Sequence, residues 1–306
     1  MAMIVVGCGN KKAEKKTSLP FPTVEVPGLI SNEEDRIKYI SEHCWDRFLS
    51  MESSENTDSS LLNGVKIKEI EQVYSNYIQI LSIAGYPQAK KAIAQFYDKI
   101  YEIEKKDSSS MVFGKMVELT DLYLYDPNSP FRDEDIFGAF AKKLSNSSFL
   151  DSLERERYCR IAQQCALNSV GSPAADFSFS DEKGRSYSLS GIDAEFTIMF
   201  FSNPDCSACE GIIYELNANE KLTQMIEQGR FKVINIYIDE DLAAWYKYMP
   251  VYPKTWINAY DPNLSVKTEG LYNIRAIPSL YLLDAEKNVI LKDAPSEKIY
   301  NFIQNI

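Results

Sequence analysis

The segment "EFTIMFFSNPDCSACEGIIYELN" sets the strongest limit on what this chain can become. It opens on a continuous apolar run bounded by polar residues, the pattern of a strand buried on both faces of a sheet. A second such run, "FKVINIYID", lies downstream, and the stretch between the two carries apolar residues at helical spacing. Strand, helix and strand in that order call for an α/β layer fold. Cys206 and Cys209 stand where the first strand hands over to the helix. Such a pair is an accident, half of a zinc site or a redox couple. Six cysteines scattered at random would give a C-x-x-C pair roughly one time in ten, so spacing alone decides little. Zinc needs two more ligands, and the chain has no second C-x-x-C and only the distant His43. Position favours the redox couple. A helix N-terminus points unsatisfied N–H groups and partial positive charge at the first sulfur, which stabilises a thiolate.

A second, independent feature is Ile277-Pro278, just before the apolar run "SLYLLD". A proline entering a strand is at home where the ladder is interrupted, and an X–Pro bond turns cis at small cost. An ordinary trans proline at a strand edge is commoner on its own; beside the cysteine pair the balance reverses. "SLYLLDAEKNVILKD" reads as a hairpin turning between Asp284 and Asn288, and "SEKIYNFIQNI" as a terminal helix.

The first half of the chain has another character. "SNEEDRIKYISEHCWDRFLS" opens with a cap and an acidic first turn, with Ile37, Ile40, Cys44 and Phe48 on one helical face. "VKIKEIEQVYSNYIQILSIAG" places Ile67, Ile70, Val73, Tyr77 and Leu81 likewise, and "PQAKKAIAQFYDKIYEIEKK" follows with Ile93, Phe96, Ile100 and Ile103. Further helical segments are expected near 110–124, 134–144 and 150–167. The chain of 306 residues therefore divides into a leader and tether (1–29), an all-α domain of about six helices (30–168) and an α/β domain (169–306). A net charge of -11 disfavours nucleic acid as a partner.

Pair, spacing and proline together resemble the thioredoxin superfamily, in which a cis-proline loop lies against the C-x-x-C sulfurs. "GSPAADFSFSDEKGRSYSLSG" further resembles the opening of the membrane-anchored reductases related to TlpA and ResA, and the likeness covers about residues 170–306. The helical half, with "LYLYDPNSPFRDED", resembles an uncharacterised module found ahead of such domains in Bacteroidetes lipoproteins. The resemblance implies a thioredoxin-like domain, a central mixed sheet flanked by helices, behind an all-α domain. It makes Cys206 the attacking thiol, Cys209 the resolving thiol, and Asp205, Ile277 and Pro278 the active-site loop. It implies no cofactor beyond the redox disulfide and no metal. The implied partners are protein disulfides and a thiol electron donor, such as a transmembrane reductase. "MIVVGC" resembles a lipobox with Cys8 as the lipid-attachment residue, implying a periplasm-facing lipoprotein of the cell envelope; a cytosolic leader with a chance cysteine is the alternative. A different class of function is an envelope lipoprotein whose helical domain binds a partner, with the thioredoxin fold as scaffold.

The departures from the family carry information. Thioredoxin has Trp before its first cysteine and a buried acid six residues ahead of it; this chain has Asp205 and Phe200. Asp205 and Glu210 flank the pair, and two carboxylates there raise a thiol pKa, which favours a reducing couple over a strong oxidant. Cys44, Cys159 and Cys165 fall on helices and read as buried small apolar residues, the last two on differing faces. The aromatic window Trp245 to Tyr260 reads as packing in preference to a docking surface, and His43 as structural.

Overall fold

A computed structural model describes residues 18–51 and 59–306. In the first half, α1 (Glu33–His43) and α2 (Asp46–Leu49) lead to a minimal hairpin, β1 (Leu61–Leu62) with β2 (Val65–Lys66). Then come α3 (Ile67–Ala84), α4 (Tyr86–Lys106) and α5 (Val112–Thr120). A π-helical turn, Asp121–Tyr125, extends α5, followed by α6 (Glu134–Leu144) and α7 (Ser152–Cys165). The expected first helix breaks in two because Trp45 turns into the core. Its ring lies 5.4 to 5.8 Å from Phe21, Tyr74, Tyr77 and Phe96, and a side chain this large outweighs helix continuity.

Phe21 belongs to the segment expected to be a free tether. Within residues 18–29 that segment is anchored at points: the Leu19 N–H donates to the Gly64 carbonyl, and the buried Phe21 stacks on Phe48 at 5.3 Å and donates its N–H to Glu69, while Leu29 is exposed. The expected lipid-attachment residue Cys8 lies outside the described residues. Among those described, no helix is long and apolar enough to cross a membrane.

The second half is a seven-stranded mixed sheet. Its elements are β3 (Ser178–Asp181), β4 (Ser186–Ser188), β5 (Phe196–Phe201), α8 (Ser207–Asn217), α9 (Glu220–Glu227), β6 (Phe231–Tyr237), α10 (Leu242–Tyr248), β7 (Ile257–Tyr260), α11 (Ser265–Thr268), β8 (Ser279–Leu283), β9 (Val289–Leu291) and α12 (Ser296–Asn305). The strand order is β4-β3-β7-β6-β5-β8-β9. β5, β6 and β7 run parallel, while β8 returns antiparallel beside β5. Alternation along β5 divides the interior. Ile198 and Phe200 face a core shared with α8, α9 and α12, whereas Met199 and Phe201 face the core on the opposite side. The expected hairpin at Asp284 to Asn288 is present, but β7 was not anticipated.

The two halves meet through polar side chains as well as packing. Lys292, just after β9, donates to the carbonyls of Cys165 and Leu167 at 2.7 and 2.6 Å, satisfying the end of α7. The Val170 amide donates to Asp135 at 2.9 Å, and the Asn168 side-chain amide to the Leu271 carbonyl at 2.8 Å.

Candidate active site

The buried strand β5 ends at Phe201, and five residues later Cys206 caps α8. Cys206 has an extended backbone, and its sulfur accepts the Cys209 N–H at 3.2 Å. The N-cap place usually held by an oxygen is thus taken by sulfur, at the positive end of an 11-residue helix. Cys206 and Cys209 form a disulfide with their Cα atoms 5.2 Å apart. Cys206 is half-buried. Cys209 is 1% exposed, in the core that holds Phe200, Ile213 and Trp256. Asp205 is exposed and has φ +56°, a left-handed conformation that Asp tolerates and bulkier residues resist.

The sheet register brings the proline to the same place. Phe201 pairs with Ser279, so Pro278 enters β8 beside the point where the chain leaves β5 for the cysteines. The Ile277–Pro278 bond is cis, and Ile277 packs against both cores. All five residues expected at the active site are therefore gathered at one end of the sheet, the C-terminal end of its parallel strands, where open α/β sheets build sites.

Beside Phe200 the polar side chains are neutral, and the acid just after β6, Asp239, bonds Asn203 and pairs with Lys267. Phe200 is fully buried, and its sheet neighbours are Leu280 and Asn235. The Ser202 hydroxyl bonds to the Asn235 side chain, which donates to Asn258 at 3.2 Å; Asn258 in turn donates to the Pro253 carbonyl at 2.9 Å. To one side, the Tyr248 hydroxyl donates to Glu210. Burial, and then that bond, hold the Tyr248 hydroxyl protonated well above the ordinary phenol range. In the aromatic window Trp245, Tyr252 and Trp256 are buried as expected, but Tyr246 is exposed and Tyr248 serves Glu210. Neither the network nor the Tyr248–Glu210 bond was anticipated; an aromatic 38 residues beyond an acid carries no local signal.

The other cysteines differ in kind. Burial pushes the Cys44 thiol up to about 11 and the Cys165 thiol to about 12, so neither supplies a thiolate near neutrality. Cys165 is buried as expected, whereas Cys44 is half-buried and Cys159, on a differing face of α7, is exposed.

Residues 8–168 match the model of a domain of unknown function, DUF5106. The chain belongs to the DUF5106 family. A thioredoxin-like protein from Bacteroides caccae is similar over 93% of this chain and 98% of its own, with 32% identity and a TM-score of 0.78. The C-terminal domain of an uncharacterized protein from Bacteroides fragilis is 38% identical over 45% of this chain and 98% of its own, with a TM-score of 0.44. The thioredoxin domain of a thiol-disulfide oxidoreductase from Bacteroides vulgatus is 23% identical over 45% of this chain and 96% of its own, with a TM-score of 0.39. No curated protein matches. The near-full-length similarity to the Bacteroides caccae protein establishes the thioredoxin-like fold behind a helical domain in this DUF5106 member.

Proposed function

We propose that the protein is a thiol:disulfide oxidoreductase that reduces protein disulfides. One observation carries this reading: a disulfide whose first sulfur caps a helix, at the sheet end where Pro278 leads into the neighbouring strand. In the reduced protein the Cys206 thiolate attacks one sulfur of a substrate disulfide. A mixed disulfide forms and the other substrate sulfur leaves as a thiolate, taking up a proton. The Cys209 thiol then loses its proton and attacks the Cys206 sulfur. The Cys206–Cys209 bond forms and the second substrate thiol is released, so two electrons pass from the pair to the substrate. A dithiol donor, a transmembrane reductase in this reading, resets the pair. No further cofactor is needed. A lipid on Cys8 would tether the protein at the periplasmic side of the envelope.

The direction of flux is supported by the surroundings of the pair. Asp205 and Glu210 flank the sulfurs and oppose the helix N-terminus, and strong oxidants depend on a very low thiol pKa. Cys206→Ser is expected to abolish insulin reduction and Cys209→Ser to accumulate mixed disulfides. Full activity in both variants would end the enzyme reading. A measured potential near about −120 mV, that of a strongly oxidising couple, would reverse the direction.

A further inference from the structure

The segment Tyr272–Pro278 leads into the cis peptide without a backbone–backbone hydrogen bond of its own among the described residues. Its position is set by side chains, and a buried acid that bonds two of them belongs to the helical half. Glu134, in the first turn of α6, is 1% exposed at its side chain. Its Oε1 accepts from the Asn273 amide and from Arg275 Nε, both at 2.7 Å, while its Oε2 faces Lys292 Nζ at 3.3 Å. Arg275 also donates to the Tyr125 carbonyl, and its guanidinium lies 4.1 Å from the Tyr125 ring centroid. Tyr125 ends the π-helical turn, where carbonyls are left without a helical partner, and its ring is stacked on Phe137 at 4.5 Å. On the far side of the proline, Ser279 Oγ donates to Asp293 Oδ1 at 2.7 Å. Arg132 of the helical half donates to Asp293 Oδ2 at 3.2 Å.

We propose that Glu134 is a positioning residue for the cis-Pro278 loop, so that the helical domain sets the surface on which a substrate disulfide docks. Buried ion pairs of this sort add little stability compared with apolar packing of the same volume; what two charge-assisted donors converging on one buried carboxylate oxygen supply is geometry. Here that geometry is imposed on both sides of one proline. On the entry side Glu134 acts through Arg275 and Asn273; on the exit side Arg132 acts through Asp293 and Ser279. The docking role rests on the oxidoreductase reading, whereas the hold on the loop does not.

Two measurements on the full chain separate the claims: amide hydrogen exchange over residues 272–283, in which the sheet-bonded amides of β8 report how firmly the loop is anchored, and the kinetics of insulin reduction. In Glu134→Gln, exchange at the first β8 amides should quicken by roughly tenfold, the effect of losing one buried charge-assisted bond, while β6 and α8 stay protected. The KM for insulin should rise about fivefold with kcat little changed, since docking is loosened and the sulfur chemistry is not. Arg275→Lys should lie between wild type and Arg275→Ala in both. A purely structural Glu134 would lower the melting temperature without moving KM. Unchanged exchange in Glu134→Gln overturns the proposal, as does faster exchange with an unchanged KM. Should Glu134→Gln not fold, Arg132→Ala puts the same two questions from the exit side. A wild-type protein that reduces no disulfide ends the oxidoreductase reading and the docking role with it, and the exchange result still decides whether Glu134 holds the loop.

Discussion

Two polar clusters flank the same end of the sheet, and they are built from opposite materials. The cluster joining the halves is ionic: Glu134, Lys292, Arg275, Asp293 and Arg132 have side chains between 1% and 13% exposed. The cluster under the cysteines is neutral, with Ser202, Asn235 and Asn258 beside the apolar Phe200. A buried charge fixes geometry strictly but is expensive to leave unpaired, whereas neutral amides tolerate rearrangement. The molecule places its charges where two domains must hold one register and keeps them from beneath a sulfur that must change its bonding. Thioredoxins, by contrast, are expected to carry an acid at the position of Phe200.

The sharpest way to break this contrast is to remove a charge from the interface. Lys292→Ala leaves Glu134 with one cation fewer and strips the Cys165 and Leu167 carbonyls of their donor. Urea unfolding should show a loss of about 3–5 kcal/mol. A loss below about 1 kcal/mol, typical of exposed pairs, would mean that the ionic cluster is not under stress when broken. The matching change below the site is Asn235→Ala. It orphans the Ser202 hydroxyl and one Asn258 group, and the cost should be smaller, about 1–3 kcal/mol. If Asn235→Ala proved the costlier of the two, the contrast between charged and neutral clusters would be inverted.

A pH titration sharpens the comparison at a level near 1 kcal/mol, about 2–4 °C in melting temperature. Burial raises the carboxyls of Asp121 and Asp133 above their ordinary values, and both lie in the helical half. The folded protein therefore holds protons that the unfolded chain has already lost. Stability from these groups is fully present below the ordinary carboxylate pKa and is lost as pH rises through the folded values. The melting temperature should rise on going from pH 7 to pH 5, helped by the shrinking net charge of -11. Glu25, Glu42 and Glu195 are lowered by Arg or Lys partners and act in the opposite sense. Glu25 and Glu195 sit at the surface, so added salt should remove their share, whereas Glu42, with its side chain 18% exposed, is screened less. Asp133→Asn keeps the α6 cap and should flatten the slope. A melting temperature that falls on acidification in high salt would show that the buried carboxyls are better served ionised.

What the sequence discloses follows from how local each signal is. Cys206 and Cys209 are legible because strand, pair and helix are consecutive, and Ile277-Pro278 because a proline at a strand entrance is conspicuous by itself. β7 was missed because its four residues carry Asn258 and follow an aromatic-rich stretch that resembles loop packing. The ionic cluster was invisible for a different reason. Glu134 and Asp135 stand where acids ordinarily sit to meet a helix dipole, and their companions are far along the chain. Arg275 is 141 residues from Glu134, so no spacing rule could have paired them. The packed segment around Phe21 reads as a tether because proline-rich extended chain looks alike whether it is free or docked.

The smallest predicted effect bears on the redox pair itself. Glu210 stands in the first turn of the helix that Cys206 caps, and the Tyr248 hydroxyl donates to it. A carboxylate there works against the thiolate, and the tyrosine disperses part of its charge. In reduced protein, Glu210→Gln should lower the pH midpoint for alkylation of Cys206 by less than about 1 pH unit. Tyr248→Phe should raise it by a smaller amount, because the carboxylate loses its donor. Neither change should cost much stability, as the contact lies at the surface. The two shifts must have opposite signs. Equal midpoints in all three proteins would show that the Glu210 charge does not reach the sulfur, leaving Asp205 and the apolar floor at Phe200 to set the character of the couple.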